Sequence, residues 1–480
     1  MQPMTNFLIP KREIAELAVQ DYEKETISPG VMHLGVGAFH RAHQAVYFDR
    51  LLAQPAGKHW GLIGVNIRPQ DSQAFTQLID QSGEYILKTM TPKGRAIYEH
   101  IRAITQLVDG AKEPSTVDHL MADEQIQLIT TTVTEGGYYL DENHALMLDH
   151  PLIKADIASG RNTLYAFLYA GLKKRSETSN SKITLLCCDN LRHNGKLLKT
   201  GLLQFLKAKQ DDVLHAWVLE NCSFPSSMVD RITPKPSAEH QDDVLSRFDI
   251  KDNMTVMAED FIQWVIEDDF AGERPPLDTV DVQMVDDVTP FEEAKIRILN
   301  AGHTCVAYQA ALKGIDYFDQ AMIDVELQRY FTDFIKQDAI PAIGQSVVDL
   351  SSYANIITMR FSNANIGDTI ERICTDGYAK FPIFVYPTLA GIYQLGGIPN
   401  KTIDAIASWF VFIHQANQGK LQVNYHEPNM AKLTAFTNDK PGIHAFATDS
   451  YLWQELPQVY PDFVHRLTTS IENIQLRFSA

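Results

Sequence analysis

The chain has 480 residues, of which 45% are hydrophobic and 21% charged, and its formal net charge is −18. This length predicts two or three domains, and the composition is typical of a soluble globular protein. The acidic balance argues against nucleic acid and anionic membrane surfaces as partners, because both attract basic proteins. No apolar run reaches the roughly 18 residues of a membrane-spanning helix.

The chain contains five cysteines, an odd number that indicates no disulfide framework. Neither a Cys-x-x-Cys pair nor a His-Glu-x-x-His motif occurs, so we expect no metal site. Residues 1–18 mix Pro, Lys, Arg and Glu and lack the apolar core of a signal peptide. These features predict a cytoplasmic protein in a reducing compartment.

Short apolar runs alternate with helical patterns in the first half of the chain. Helices are expected between the apolar runs, for example at residues 39–53 and 162–175. Strands that alternate with helices are typical of βαβ units and a parallel sheet. The predicted strands are residues 30–35, 61–65, 85–89, 127–134 and 183–188.

Long amphipathic stretches dominate after Pro290, and they predict a largely helical second domain. We place the boundary after residue 285, which gives domains of residues 1–285 and 286–480. The predicted helices of the second domain are residues 291–313, 325–337, 366–374, 403–418 and 460–474.

A Gly-x-Gly turn follows the first predicted strand and precedes the first predicted helix, which is the setting of a dinucleotide-binding fingerprint. Gly35 would allow the tight turn, and Gly37 would let the backbone approach a pyrophosphate. Arg41 would pair with phosphate from the helix, while His40 occupies the place of the usual third glycine. The alternative is that His40, Arg41 and His43 form a solvated helix face.

An acidic residue is expected after the second predicted strand, where it would bind the ribose of the nucleotide. Asp71 holds that place and favours NAD over NADP, because a carboxylate repels a 2′-phosphate. Arg68 nearby weakens this preference.

Lys295, Asn300 and His303 lie on one predicted helix. At about 100° per residue, Asn300 lies about 140° and His303 about 80° round from Lys295, so all three fit one pocket-facing arc. The positive helix end and partial burial favour a neutral Lys295 amine, which can take a proton from an alcohol. The alternative is a solvated lysine, an ordinary helical asparagine and a core histidine.

The start of this helix is marked by Thr289, Pro290 and Glu292. Thr289 is expected to be the N-cap, and Glu292 would complete a capping box. Gly302, next to His303, is expected to allow close approach of a cofactor or substrate.

The Lys-x4-Asn-x2-His signature, together with further segments in order along the chain, resembles the long-chain, zinc-independent polyol dehydrogenase family, often called the mannitol dehydrogenase family. The likeness runs from about residue 31 to at least residue 390. The matching segments are residues 35–43, 134–138, 188–195, 228–234, 261–268, 295–303 and 360–363.

The resemblance implies an α/β fold with an N-terminal Rossmann-like dinucleotide-binding domain and a mainly α-helical C-terminal domain. It implies reversible hydride transfer between a polyol and NAD without a metal. Lys295 would be the general base, and His303 would orient the substrate. Asn300 and Asn190 would donate hydrogen bonds to the developing alkoxide.

The resemblance assigns further residues to the two ligands. Phe39, Thr134 and Glu135 would join Gly35, Gly37, Arg41 and Asp71 at the cofactor. Asp230, Arg372 and Lys380 would line the polyol end of the site, together with Asn190. The expected partner is a small polyol or ketose, and the chain is expected to be a monomer or a small homo-oligomer.

Segments outside the signature favour one substrate over others. Residues 64–68, 85–94, 134–140 and 290–300 resemble family members that oxidise D-arabinitol to D-xylulose. Oxidation of mannitol to fructose is the second alternative. Reduction of a hexuronate is the third and would need a cation such as Arg372 or Lys380. A nucleotide-binding sensor without catalysis is a different class of alternative, against which the intact Lys295, Asn300 and His303 argue.

Overall fold

A computed structural model describes residues 16–421, 425–437 and 440–478. They form two compact units: the first holds residues up to Met90 together with Arg95–Asp286, and the second holds Thr91–Gly94 together with the chain from Asp287 onward. Residues 1–15, which carry most of the N-terminal segment interpreted above, lie outside the described residues.

Six parallel strands form the main sheet of the first unit. In chain order they are β1 (Pro29–Leu34), β2 (Gly61–Asn66), β3 (Ile104–Asp109), β4 (Leu128–Thr131), β5 (Ile183–Cys187) and β6 (Cys222–Ser223), and their order in space is β3-β2-β1-β4-β5-β6. The chain leaves β1 toward β2 and β3 and then returns to β4 on the other side of β1. Such a switch point is where open α/β sheets bind ligands, at the carboxyl ends of the strands.

The central strands are buried along their whole length, as expected for a parallel sheet covered by helices on both faces. The predicted helix at residues 39–53 is broken at His43, whose φ of −128° and ψ of −85° are not helical. The covering helices are Ala38–Ala42, Gln44–Leu52, Ser72–Asp80, Pro114–Ala122, Pro151–Ala158, Leu164–Glu177, Asn194–Ala208 and Asp212–Asn221.

Two smaller sheets complete the first unit, with a helix at Ala238–Phe248. The predicted strand at residues 85–89 exists as Tyr85–Met90, but it pairs antiparallel with Ala96–Ile101 and lies outside the parallel sheet. The four-stranded sheet also contains Leu17–Val19 and Val256–Glu259, and the three-stranded sheet contains Ser227–Asp230, Gln263–Glu267 and Gln283–Val285.

The second unit is mainly helical around one large apolar core. The helix expected at residues 366–374 begins only at Ile370, because the Thr369 side chain accepts a hydrogen bond from the N–H of Arg372 and caps it. The α-helices are Thr289–Ala294, Ala301–Leu312, Phe318–Ile323, Val325–Phe334, Ile340–Ile343, Leu350–Phe361, Ile370–Cys374, Gly377–Lys380, Tyr386–Gln394, Asn400–Asn417, Met430–Thr437, Lys440–Ala447, Ser450–Trp453, Leu456–Val459 and Asp462–Arg477.

Three π-helical turns interrupt the helices of the second unit: Lys295–Asn300, Ile335–Ala339 and Phe381–Val385. The first turn contacts both of the others. Single π-helical turns are rare and frequently mark functional sites. The predicted fold class, a Rossmann-like α/β domain followed by a mainly helical part, is confirmed. Within the described ranges, no helix is long and apolar enough to cross a membrane.

Candidate functional site

The Gly-x-Gly turn leaves the carboxyl end of β1 at the switch point of the sheet. Gly35 has a φ of +98°, and a Cβ there would lie 2.0 Å from the Thr132 carbonyl oxygen, so only glycine fits. Gly37 is different, because a Cβ there would meet nothing within 4 Å. The open space beside the Gly37 backbone suits a pyrophosphate group, and the loop therefore fits a dinucleotide.

Two buried histidines, His33 and His40, lie next to this turn and help to fix it. The His33 ring bonds the Thr130 hydroxyl at 2.7 Å, the Thr132 hydroxyl at 2.9 Å and the Gly35 carbonyl at 3.1 Å. His40, at the place of the third glycine, stacks on His33 with the ring centres 3.4 Å apart. Burial lowers the pKa of His33 to about 3, so the pair is neutral at neutral pH. His40 is therefore part of the core and not of a solvated helix face.

The loop after β4 is held in a strained shape. Thr134 has φ 64° and ψ 161°, a region that is almost restricted to glycine and costs about 1–3 kcal/mol. The Asp189 carboxylate, which follows β5, accepts the N–H of Val133 and the N–H of Thr134, each at 2.9 Å. Tyr138 donates its hydroxyl to the same carboxylate at 2.6 Å. Asp189 thus compensates the strain at Thr134 and fixes the segment that carries Glu135.

Replacing Asp189 with asparagine should loosen this loop, because an amide nitrogen cannot accept from a backbone N–H. We expect faster amide hydrogen exchange at Val133 and Thr134 and NAD affinity weaker by on the order of tenfold. Burial raises the pKa of Asp189 to about 6, so the acceptor is complete above that pH and is lost as the pH falls through it. In protection factors, which correct for the slower intrinsic exchange at acid pH, the wild type at pH 5 should therefore resemble D189N at pH 7, and equal protection in both proteins at pH 7 would contradict this role.

The predicted substrate residues of the first unit lie on neighbouring segments. Asn190 is exposed after β5, and Asp230 is buried at the end of Ser227–Asp230. The buried Asn194 amide links the two segments: it donates to the carbonyls of Asp189 at 3.0 Å and Ser227 at 2.8 Å and accepts from the N–H of Ser227 at 2.9 Å. Asn194 therefore fixes the backbone of the two segments that carry Asn190 and Asp230.

The structure does not support the predicted phosphate contact of Arg41. Its guanidinium is buried, donates to the Met254 carbonyl and lies 5.2 Å from the centre of the Tyr85 ring. The side chain therefore packs between the helix and the neighbouring small sheet. Phe39 is partly buried and stacks on His43 at 5.0 Å.

Asp71 lies in a 3₁₀ turn, Pro69–Asp71, after the carboxyl end of β2. Its carboxylate is exposed and forms an ion pair with Arg68 at 3.1 Å. A role at the ribose stays a prediction for this residue.

In the second unit, Lys295 and Asn300 are the first and last residues of the first π-helical turn. The N–H of Ala301 bonds the Ile296 carbonyl five residues back, which is the π-helical pattern. The assumed regular α-helix is therefore wrong for this stretch. Since one π-helical turn closes over five residues, Lys295 and Asn300 share one face more closely than the α-helical angles predicted.

The predicted capping box is also wrong. The helix begins at Thr289 after Val288, and no side chain caps it. The N–H of Glu292 bonds the Val288 carbonyl at 3.1 Å and not the Thr289 hydroxyl. The Asp287 carboxylate instead accepts the N–H of Thr289 at 2.9 Å, so an acidic side chain still faces the positive end of the helix.

The side-chain amide of Asn300 has an unused hydrogen-bond donor. Its Nδ2 atom is buried and has no hydrogen-bond partner among the described residues. Lys295 on the same turn is only 8% exposed. A buried donor without a partner costs stability. Several buried side-chain atoms of the described residues share this state, and the Asn300 donor is distinguished by its place on the turn of Lys295.

His303 lies in an aromatic cage on the next turn. Its ring stacks on Phe361 with centres 4.8 Å apart and meets the edge of Phe318 at 4.2 Å. Its Nε2 atom lies 3.4 Å from a carboxylate oxygen of Asp368. Burial lowers the pKa of His303 to about 4, so the ring is neutral at neutral pH and can both donate and accept a hydrogen bond.

The two predicted substrate cations are both engaged. Arg372 binds Asp368 with two parallel hydrogen bonds of 2.6 and 2.7 Å. The Lys380 ammonium donates to the Ile373 carbonyl at 3.0 Å, and burial, followed by the charge of Arg372, lowers the pKa of Lys380. Asp368 thus stands between His303 and Arg372.

Gly302 does not serve a ligand, contrary to expectation. A Cβ there would lie 2.5 Å from the Phe331 ring, which packs directly on the helix. Phe331 in turn contacts Phe361 at 5.5 Å, the ring on which His303 stacks. Gly302 therefore allows the Phe331 ring to pack closely against the helix that carries His303.

Replacing Gly302 with alanine should lower the free energy of unfolding by about 1–3 kcal/mol through overpacking against Phe331. Ordinary helical propensity predicts the opposite sign, a gain of up to about 1 kcal/mol. Urea unfolding distinguishes the two. The double variant G302A/F331L should lose less than the sum of the two single variants, because the smaller side chain makes room for the added methyl group.

Two acidic residues were missed by the sequence interpretation, Asp189 and Asp368. Asp189 directly precedes Asn190, and Asp368 stands four residues before Arg372, so their spacing was the available signal. The other partners of these carboxylates are backbone N–H groups or the Tyr138 hydroxyl for Asp189, and for Asp368 the ring of His303, far away in sequence. Among the described residues, no group of three or more His, Cys, Asp or Glu side chains could hold a metal ion.

Residues 29–279 match the mannitol dehydrogenase Rossmann domain, and residues 287–475 match the mannitol dehydrogenase C-terminal domain. A D-arabinitol 4-dehydrogenase of Ralstonia nicotianae is 39% identical over 432 residues, covering 89% of this chain and 93% of the relative. A D-arabinitol 4-dehydrogenase of Klebsiella pneumoniae is 38% identical over 396 residues, covering 82% and 87%. The ternary complex of Pseudomonas fluorescens mannitol 2-dehydrogenase with NAD and D-mannitol has a TM-score of 0.85 at 31% identity, covering 96% of this chain and 94% of that structure.

Proposed function

Because this chain belongs to the mannitol dehydrogenase family of polyol dehydrogenases, we propose that it oxidises D-arabinitol to D-xylulose with NAD, using Lys295 as general base. The family resemblance found in the sequence is thereby confirmed. The observation that carries the proposed chemistry is the unpartnered, buried Nδ2 of Asn300 on the same π-helical turn as the buried Lys295.

Oxidation of an alcohol requires loss of the hydroxyl proton and of a hydride from the same carbon. NAD, when bound, supplies the hydride acceptor. The Lys295 amine takes the hydroxyl proton, which a carbinol does not release without a base. The Asn300 Nδ2 donates a hydrogen bond to the oxygen as negative charge develops on it, and because the amide is already in place, no reorganisation is needed. The neutral His303 fixes a substrate hydroxyl.

The residues proposed to hold NAD follow β1, β2 and β4. Gly35 and Gly37 provide the turn and the open backbone face, and the Thr134 segment lies beside the switch point. Asp71 is proposed to bind the ribose, and Phe39 and Glu135 to complete the site. The roles of Asn190 as a second donor to the alkoxide, and of Asp230 as a polyol contact, rest on the family resemblance.

D-arabinitol is preferred as substrate for two reasons. The relatives that share 38–39% identity with this chain are D-arabinitol 4-dehydrogenases. A hexuronate needs a cation for its carboxylate, and of the two candidates, Arg372 and Lys380, the charge of Arg372 is already balanced by Asp368. Mannitol is the second candidate, since a mannitol 2-dehydrogenase shares the fold. The five cysteines, all described and free, support a reducing, cytoplasmic location.

The test is formation of NADH by the purified protein with D-arabinitol, D-mannitol, D-glucitol and xylitol, each with and without a chelator. We expect turnover of D-arabinitol to exceed that of D-mannitol, to resist the chelator and to yield D-xylulose. A preference for mannitol would keep the mechanism and replace the substrate. Sensitivity to the chelator would contradict the metal-free lysine mechanism.

A further inference from the structure

Asp368 links two predicted substrate residues of the second unit. One of its carboxylate oxygens lies 3.4 Å from Nε2 of His303, and both oxygens accept hydrogen bonds from Arg372. The Asp368 side chain is only 11% exposed, whereas that of Arg372 is 62% exposed. Asp368 is thus the buried partner of this ion pair, and its carboxylate fixes the more exposed guanidinium of Arg372.

The charges that act on His303 are unevenly distributed. Asp368 favours the protonated ring, while Arg372, Lys380 and Arg360 disfavour it. Asp368 thus opposes the three cations Arg372, Lys380 and Arg360 in its effect on His303. Removing the negative charge of Asp368 would therefore leave the surroundings of His303 markedly more positive.

A neutral polyol and a hexuronate differ chiefly in one carboxylate. A positive pocket attracts that carboxylate, and Asp368 weakens this attraction because it neutralises the charge of Arg372 and occupies its Nε and one Nη2 donor. From this geometry we propose that Asp368 is a specificity-determining residue, which holds Arg372 in an ion pair and thereby makes the substrate site select neutral sugars against hexuronates. This inference rests on the proposed polyol dehydrogenase function.

The main test is Asp368→Asn, which keeps the shape of the side chain and removes its charge. We compare kcat/KM for reduction of D-xylulose and of D-fructuronate in wild type and variant. The ratio of D-fructuronate to D-xylulose should rise by about tenfold or more, the size expected for one unit charge several ångströms away at an effective dielectric constant of about 20. An unchanged ratio would overturn the inference.

A second variant predicts a shift of opposite sign. Arg372→Met removes the cation and leaves the Asp368 charge uncompensated, so the same ratio should fall below that of wild type. This variant also keeps the inference testable if D368N does not fold. A loss of activity with both substrates in equal proportion, in both variants, would assign Asp368 a purely structural role and contradict the proposal.

Asp462→Asn is the matched control, because Asp462 binds Arg466 in the same i, i+4 arrangement at 2.8 Å. It should leave activity and the substrate ratio unchanged. Failure of the proposed function is seen separately, as wild-type protein that turns over no polyol or ketose. In that case calorimetric titration with D-fructuronate still tests the inference, since D368N should bind it about tenfold more tightly than wild type, and equal affinity would overturn it.

Discussion

Replacing Lys295 with alanine should lower kcat for polyol oxidation by about 100- to 10,000-fold, the range that general acid–base catalysis contributes. The amine is buried on the π-helical turn, and its removal leaves no other base assigned to take the hydroxyl proton. Steady-state kinetics measures this effect.

Two controls separate this chemical role from a structural one. Affinity for NAD should be unchanged in K295A, and small primary amines added to the assay should restore part of the lost turnover. Lys313→Ala removes a lysine from the end of the same helical run, where it pairs with Asp324 at 2.8 Å, and should leave kcat unchanged. Unchanged turnover in K295A would contradict the assigned base and favour the alternative of a nucleotide-binding sensor.

The sequence predicted those strands and helices that have a clear local pattern of apolar residues. Alternation of apolar runs with helical stretches located β1, β2, β4 and β5, and the amphipathic stretches after Pro290 located the helical part. The strand Tyr85–Met90 was found but assigned to the wrong sheet, because periodicity records burial and not the pairing partner. The edge strand β3 was missed, since its central residues are only partly buried, with Gln106 exposed, which weakens the apolar signal.

For the candidate site, the sequence named residues but did not predict their geometry. Lys295 and Asn300 do share a helical run, yet the π-helical turn that brings them to one face has no signal in a hydrophobic pattern. Arg41 was assigned to phosphate from its place in the motif, but its partner, the Met254 carbonyl, lies more than 200 residues away in sequence. Spacing along the chain cannot reveal such a partner.

The same limit explains why the supporting carboxylates were missed. Asp189 accepts hydrogen bonds from the backbone N–H groups of Val133 and Thr134. Every residue except proline has such a group, so the sequence does not show which of them a side chain will bind. Asp368 acts on His303 from another helix-flanking segment. In both cases the motif named a candidate residue, and the carboxylate that acts on it could be identified only in three dimensions.

Replacing Asn300 with alanine should lower kcat/KM by about 100- to 1,000-fold, the cost of losing one preorganised donor to a developing oxyanion. Stability should not fall and should rise by up to about 1–3 kcal/mol, because the variant removes a buried donor that has no hydrogen-bond partner among the described residues and because alanine suits a helix. Activity and stability are therefore expected to separate in this variant, which kinetics and urea unfolding measure together.

Asn300→Asp sharpens the test, since it preserves the size of the side chain but replaces the donor by an acceptor. A negative charge beside the alkoxide should make N300D less active than N300A. The matched control is Gln309→Ala on the same helix, because the Gln309 Nε2 is likewise buried and makes no hydrogen bond of normal length and angle in the described part of the chain, with Tyr330 as its polar neighbour. Q309A should keep wild-type kcat/KM. Equal losses in N300A and Q309A would mean that the unpartnered amides shape the helix, and that the Asn300 donor does not act on the substrate oxygen.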